Sequence, residues 1–197
     1  MSSESISNTI SLMLITLVAG LLLGVVYEVT KEPIAAEQQR AKEEAYKTVF
    51  AEAETFEELS VDEGIQSKLN GEQGLNATIE EVMKVLDGSG SLAGYVLTVT
   101  DHEGYGGDVQ FAMGVKTDGT VNGISFLALS ETAGLGMKAN EEGFKGQFAG
   151  KNVQSFRYTK NGAVSEDEID ALSGATITTN AVVSGVNAGL YYVQNLE

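Results

Sequence analysis

Residues 95–129 read YVLTVTDHEGYGGDVQFAMGVKTDGTVNGISFLAL, and this stretch decides the architecture. Tyr95–Thr100 alternates as a strand does. In the next run Val109, Phe111, Met113 and Val115 share one face while smaller or polar residues take the other, the period-two pattern of a strand. Asp118-Gly119 is a strong two-residue hairpin signal, and Val121–Leu129 returns from it. An antiparallel β-meander is predicted here.

Helices are expected on either side of it. Ile79, Val82, Met83 and Leu86 fall at helical spacing and predict a short helix over Thr78–Leu86, broken by Gly88-Ser-Gly-Ser. Ser60–Gly74 is polar and glycine-bearing and reads as irregular. Downstream, a short helix is expected near Glu141–Phe148, a strand near Val153–Thr159 and a closing helix from about Thr176 to Gln194. Ile177, Ala181, Val182, Val186 and Tyr192 form the apolar side of that last helix. The fold class is α+β, an antiparallel β-meander flanked by helices.

Hydrophobicity is concentrated at the other end. ISLMLITLVAGLLLGVVY, Ile10–Tyr27, carries no charge. A helix of that length rises about 27 Å, enough for a hydrocarbon core. The preceding residues 1–9 contain no Lys or Arg and no clear cleavage site follows, so a retained single-pass anchor is favoured over a signal peptide. Pro33 suits the first position of a second helix, predicted over Pro33–Phe50. Lys31, Arg40, Lys42 and Lys47 follow the span and by the charge rule alone would hold the main domain in the cytoplasm, although five interleaved glutamates and a large domain weaken that rule.

Composition removes several functions. The chain has 197 residues and a formal net charge of −16, which would repel a phosphate backbone and disfavours nucleic-acid binding. Without cysteine there is no disulfide, thiolate-bound iron–sulfur cluster, c-type haem or lipoprotein anchor. The single histidine, His102, leaves no His-rich metal site and reads as an exposed strand-end residue. No metal ligands and no built-in catalytic residues are assigned.

Two glycine pairs, Gly88-x-Gly90-x-x-Ala93 and Gly134-x-Gly136-x-x-Ala139, fit a dinucleotide fingerprint in letters but not in structural order, and are read as turns. Asp170-Ala-Leu-Ser173-Gly174-Ala175-Thr176-Ile-Thr178-Thr179 is more informative. Two readings of it stand. One is a Ser/Thr cap on a helix preceded by a glycine turn. The other is a set of hydroxyls and free amide N–H groups converging on the positive end of a helix, where a phosphate is best held.

Asp-x-x-Ser-Gly-Ala-Thr resembles the flavinylation motif of proteins that carry FMN through a phosphoester to threonine. The resemblance extends to Gly104-Tyr-Gly-Gly107, to Asp118-Gly119 and to Ser130-Glu-Thr-Ala-Gly-Leu-Gly136, where Ala133 replaces the proline usual in such families. With the N-terminal anchor it covers nearly the whole chain, which is similar to the G subunits of Rnf complexes, ion-translocating ferredoxin:NAD oxidoreductases. The C subunits of sodium-translocating NADH:quinone reductases are close relatives.

That resemblance implies a division into a tail (1–9), a transmembrane helix (10–27), a membrane-proximal helix and connection (28–60) and a covalent FMN-binding domain (61–197). It implies FMN esterified to Thr176, with Ser173, Gly174, Ala175 and Thr178 around the phosphate, and Asp170 as a mark for a separate flavin transferase or a brace for its loop. The Glu131–Lys138 segment is placed against the ring or its ribityl chain: Glu131, Thr132 by hydrogen bonding, Leu135 by apolar cover, Gly134 and Gly136 by close approach. Lys138 is either a partner for reduced flavin or a solvated loop lysine. Tyr105 is either a flavin contact or a core aromatic, and Thr179 only a helix residue. Expected partners are the other membrane subunits, including a second flavin-bearing integral subunit and iron–sulfur subunits. The flavin domain is expected on the extracytoplasmic side of the cell membrane. The function implied is electron transfer; a quinone-reductase subunit and a non-redox, membrane-anchored acidic binding or assembly domain are the alternatives.

Overall fold

The hairpin at Asp118-Gly119 forms as its residues dictate. Asp118 Oδ1 accepts the Thr120 N–H at 2.9 Å, and Gly119 takes φ +87°, which a side chain would resist. The computed structural model describes residues 3–196. The strands are β1 (Thr55–Leu59), β2 (Ala77–Leu86), β3 (Leu92–Asp101), β4 (Val109–Lys116) and β5 (Val121–Leu129), an antiparallel sheet in sequence order. Helices are α1 (Ser3–Val49), α2 (Glu63–Gly71), α3 (Glu142–Lys145) and α4 (Thr176–Gln194). Short β6 (Arg157–Thr159) and β7 (Glu168–Asp170) pair in parallel.

By its contacts the chain divides into residues 1–41 and 42–197. The first unit is helical from Ser3 onward, and its apolar stretch is long enough to cross a membrane with none of it buried. Met1 and Ser2 of the expected tail lie outside the described residues; the rest of that tail is helix. Pro33 does not start a second helix. It lies inside the continuous α1, where its missing N–H leaves the Val29 carbonyl without its helical donor.

In the second unit the sheet is covered on both faces. On one, Leu97, Val99, Phe111 and Met113 pack against Val182, Val186 and Leu190 of α4 and Leu69 of α2, all fully buried. On the other, Ala45, Tyr46 and Val49 at the end of α1 and Phe50 just after it pack on Val85, Val96 and Ala112. The small residues of β4 follow from this second layer. A Cβ on Gly114 would lie 2.6 Å from the Val49 carbonyl oxygen, so only glycine lets the helix end settle on the strand.

Two expectations fail in this unit. Thr78–Leu86 is not a helix but part of β2. A bulge between Ile79 and Glu81 shifts the phase of the strand, so that Ile79 and Val82 reach one core although three apart, while Val85 faces the other. Burial on both faces plus a bulge imitates helical spacing. Ser60–Gly74 is not irregular: Asp62 Oδ1 accepts the Gly64 and Ile65 N–H groups at 2.8 and 3.0 Å, capping α2, and Ile65 and Leu69 enter the core. Of the strand expected over Val153–Thr159, only the last three residues pair.

Candidate functional site

The final helix starts without a side-chain cap. Its N-cap residue is Ala175, and no hydroxyl closes the first turn. Thr179 is turned inward, fully buried, accepting the Leu172 N–H at 3.0 Å and donating to the Ala175 carbonyl at 2.9 Å. It ties the preceding loop to the helix and is a helix residue, as expected. The helix-cap reading of Ser173–Thr176 therefore loses its structural basis. What remains is a helix end whose first N–H groups are left to whatever enters the space before them.

That space is a cleft of about 520 Å³. It is lined by Glu131, Thr132, Leu135 and Gly136 from one segment, by Gly174–Thr178 from the start of α4, and by Tyr105. Three stretches far apart in sequence meet here. Thr176 is half-buried in the lining, Thr178 is buried beside it, and Gly174, at φ +77°, would bring a Cβ within 3.1 Å of Leu135 Cδ2. Gly136 is confined between Glu131 Oε2 and Thr178 Oγ1, each 2.6 Å from where its Cβ would sit. Glu131 is buried, and its Oε1 accepts the Tyr105 and Gly106 N–H groups at 2.8 and 3.3 Å.

Other expected residues stand outside the lining. Ser173 and Gly134 are exposed on the flanking loops, Gly134 at φ +76° in its turn. Lys138 is exposed in the 3₁₀ turn Gly136–Asn140 and does not line the cleft. Asp170 braces its loop: its Oδ1 accepts the Ala163 N–H at 2.6 Å, and its own N–H donates to Gln147 Oε1 at 2.7 Å. Gly90, at φ +78°, closes the turn between β2 and β3. His102 is exposed past β3, its Nδ1 3.1 Å from Asp108 Oδ1.

Sequence reasoning missed one lining residue and left a second open between two readings. Ile177 belongs to the apolar pattern of α4 but is 53% exposed, so it departs from the buried stripe to face the cleft. Tyr105 is 69% exposed and is not a core aromatic. An apolar residue in the first turn of a helix that otherwise buries its stripe was the signal available. Apolar lining with a few convergent hydroxyls and backbone N–H groups, at this volume, suits a cofactor with an aromatic ring and an anionic tail.

Comparison with known proteins agrees with this geometry. Residues 104–191, which hold every lining residue, match the FMN-binding domain family, and residues 1–49 match the RnfG N-terminal region. The chain is 33% identical over 190 residues to the G subunit of the Na(+)-translocating ferredoxin:NAD(+) oxidoreductase complex of Acetobacterium woodii, covering 94% of this chain and 90% of that one. It is 30% identical to the G subunit of the ion-translocating oxidoreductase complex of Methanosarcina acetivorans, over 100% of this chain and 98% of that one. The crystal structure of NqrC from Shewanella oneidensis superposes with a TM-score of 0.52 at 26% identity, covering 58% of this chain and 57% of that one. An anchor-length apolar helix, a two-faced antiparallel sheet and a cleft at an uncapped helix start thus occur together in a chain that belongs to the G-subunit family of Rnf ion-translocating oxidoreductase complexes.

Proposed function

We propose that this chain is a flavin-carrying electron-transfer subunit of a membrane-bound, ion-translocating ferredoxin:NAD oxidoreductase, with FMN esterified through its phosphate to Thr176. The observation that carries the reading is the half-buried Thr176 at an uncapped helix start, lining a cleft of about 520 Å³. The isoalloxazine ring supplies the redox chemistry once attached. The chain's own residues bind and orient. The open N–H groups of α4 and the Thr178 hydroxyl favour the phosphate, Leu135 and Ile177 offer apolar cover, and Thr132 offers a hydroxyl at the exposed side.

Attachment does not require a base within the chain. Asp170, the nearest carboxylate in the motif, is committed to the Ala163 N–H. This supports a separate flavin transferase, for which Asp170 shapes the loop beside the acceptor. A tether also has a physical purpose. Micromolar affinity corresponds to about −8 kcal/mol, which dilution outside the cytoplasm can exhaust, whereas a covalent bond fixes the local concentration. The flavin domain is assigned to the extracytoplasmic side, its electron partners being the other subunits of the complex, a second flavin-bearing subunit and iron–sulfur subunits among them.

Intact-mass measurement tests the core of this reading. Protein matured with the transferase should gain the mass of one flavin mononucleotide and stay yellow when denatured. Thr176→Ala should lose the colour and Thr179→Ala should keep it. An unmodified Thr176 peptide from protein purified out of its native membrane would sink the electron-carrier account. Protease added to sealed cells should digest the 42–197 unit; protection would reverse the orientation.

A further inference from the structure

Tyr105 exposes 69% of its surface, yet the glycines on either side of it are closely packed. A Cβ on Gly104 would lie 2.7 Å from Val109 Cγ2, and one on Gly106 would collide with the Ser130 carbonyl oxygen. The Glu131 carboxylate completes the clamp. Its Oε1 takes the Tyr105 and Gly106 N–H groups, while Oε2 abuts Gly136. One buried carboxylate thus sets the distance between two glycine segments that both line the cleft.

A carboxylate is a poor direct ligand for an anionic cofactor. Oε1 is committed to backbone donors instead, which is the arrangement of a strut rather than of a ligand. A single exposed aromatic needs no cover, but one grouped with other exposed apolar side chains in a cleft marks a binding surface. Leu135 and Ile177, 42% and 53% exposed, line the same cleft from two other segments.

We infer that Glu131 is a positioning residue that fixes Tyr105 at the cleft, and that Tyr105 lies in contact with the flavin ring together with Leu135 and Ile177. The inference rests on the flavin reading given above. It decides between the two readings of Tyr105 and adds the group that holds it.

Flavin fluorescence gives a readout independent of turnover. A phenol in contact with excited flavin quenches it by passing an electron that returns at once, so quenching reports proximity. Covalent flavin is first confirmed by mass in each protein. Tyr105→Leu should then raise flavin fluorescence several-fold over wild type, and Glu131→Ala should do the same. Glu131→Gln, whose amide oxygen can still accept both N–H groups, should leave fluorescence low. Amide exchange on flavin-free protein tests the strut by itself: Glu131→Ala should accelerate exchange at Tyr105 and Gly106 about tenfold, the loss of one hydrogen bond's net worth. If Glu131→Ala does not fold, Glu131→Asp, too short to serve both segments, takes its place. Unchanged fluorescence in flavinylated Tyr105→Leu would overturn the ring contact, and unchanged exchange in the Glu131 variant would overturn the strut. Absence of flavin from the wild type would overturn the flavin reading and the ring contact together, while leaving the exchange result to decide the strut.

Discussion

Two helices of this chain carry long apolar stretches, and these meet different environments. In α1 the residues from Ile10 to Tyr27 are exposed all round, and a Cβ on Gly20 or Gly24 would meet nothing within 4 Å. In α4, Ala181, Val182, Val186 and Leu190 are fully buried, and a Cβ on Gly185 would lie 2.9 Å from Phe111 Cζ. The first is apolar for a solvent, hydrocarbon, that needs no shape. The second is apolar for one particular sheet, and every atom on its inner face has a neighbour. Glycine therefore means different things in the two helices: small and unconstrained in α1, obligatory where α4 crosses β4.

Substitution sharpens the contrast. The largest effect is expected from Gly185→Leu, which forces a side chain into the buried Phe111 ring and should destabilise the 42–197 unit by about 3 kcal/mol in denaturant titration of the full chain in detergent. Tyr192→Phe comes next. Its buried hydroxyl accepts the Asp62 N–H at 2.6 Å at the cap of α2, and losing that acceptor should cost about 1 kcal/mol.

Asp101→Asn should act in the opposite direction, and with pH. Asp101 is fully buried near Gly185, its Oδ2 has no hydrogen-bond partner among the described residues, and burial pushes its carboxyl above the ordinary range. A raised folded value means that the charged form opposes folding, a penalty absent below the unfolded pKa near 3.8 and complete above the folded one. The variant should therefore be more stable than wild type at pH 7, and the advantage should vanish as pH falls below the usual carboxylate range. Gly20→Leu should leave the unfolding midpoint unchanged. A loss as large as that of Gly185→Leu would mean that residues 10–27 pack against protein and not lipid.

Much of this was legible from local chemistry. The meander from Tyr95 to Leu129 follows from alternation and from Asp118-Gly119, both of which act over a few residues. The start and end of α4 and the motif at Thr176 were equally plain. The failures share a cause. β2 carries apolar residues on both faces and a bulge, so its spacing reports two cores at once and imitates a helix. Asp62 was a cap signal hidden in a polar stretch, and Pro33 sits in a helix that tolerates losing one hydrogen bond. At the site, Thr176, Leu135 and Gly136 were found from motifs. Glu131's function as a clamp could not be, because its partners at Tyr105 and Gly106 lie a whole hairpin away.

The amino-acid order alone determined that this chain carries an anchor-length apolar helix, an antiparallel meander and a hydroxyl-rich helix start, since each rests on contacts or periodicities within a dozen or so residues. Tertiary structure decided which hydroxyl is turned inward and which faces the cleft, that Ile177 and Tyr105 belong to the site, and that one carboxylate spaces two glycine loops. Those facts depend on distances between segments far apart in the chain, and such distances are set by how a whole sheet packs between its helices.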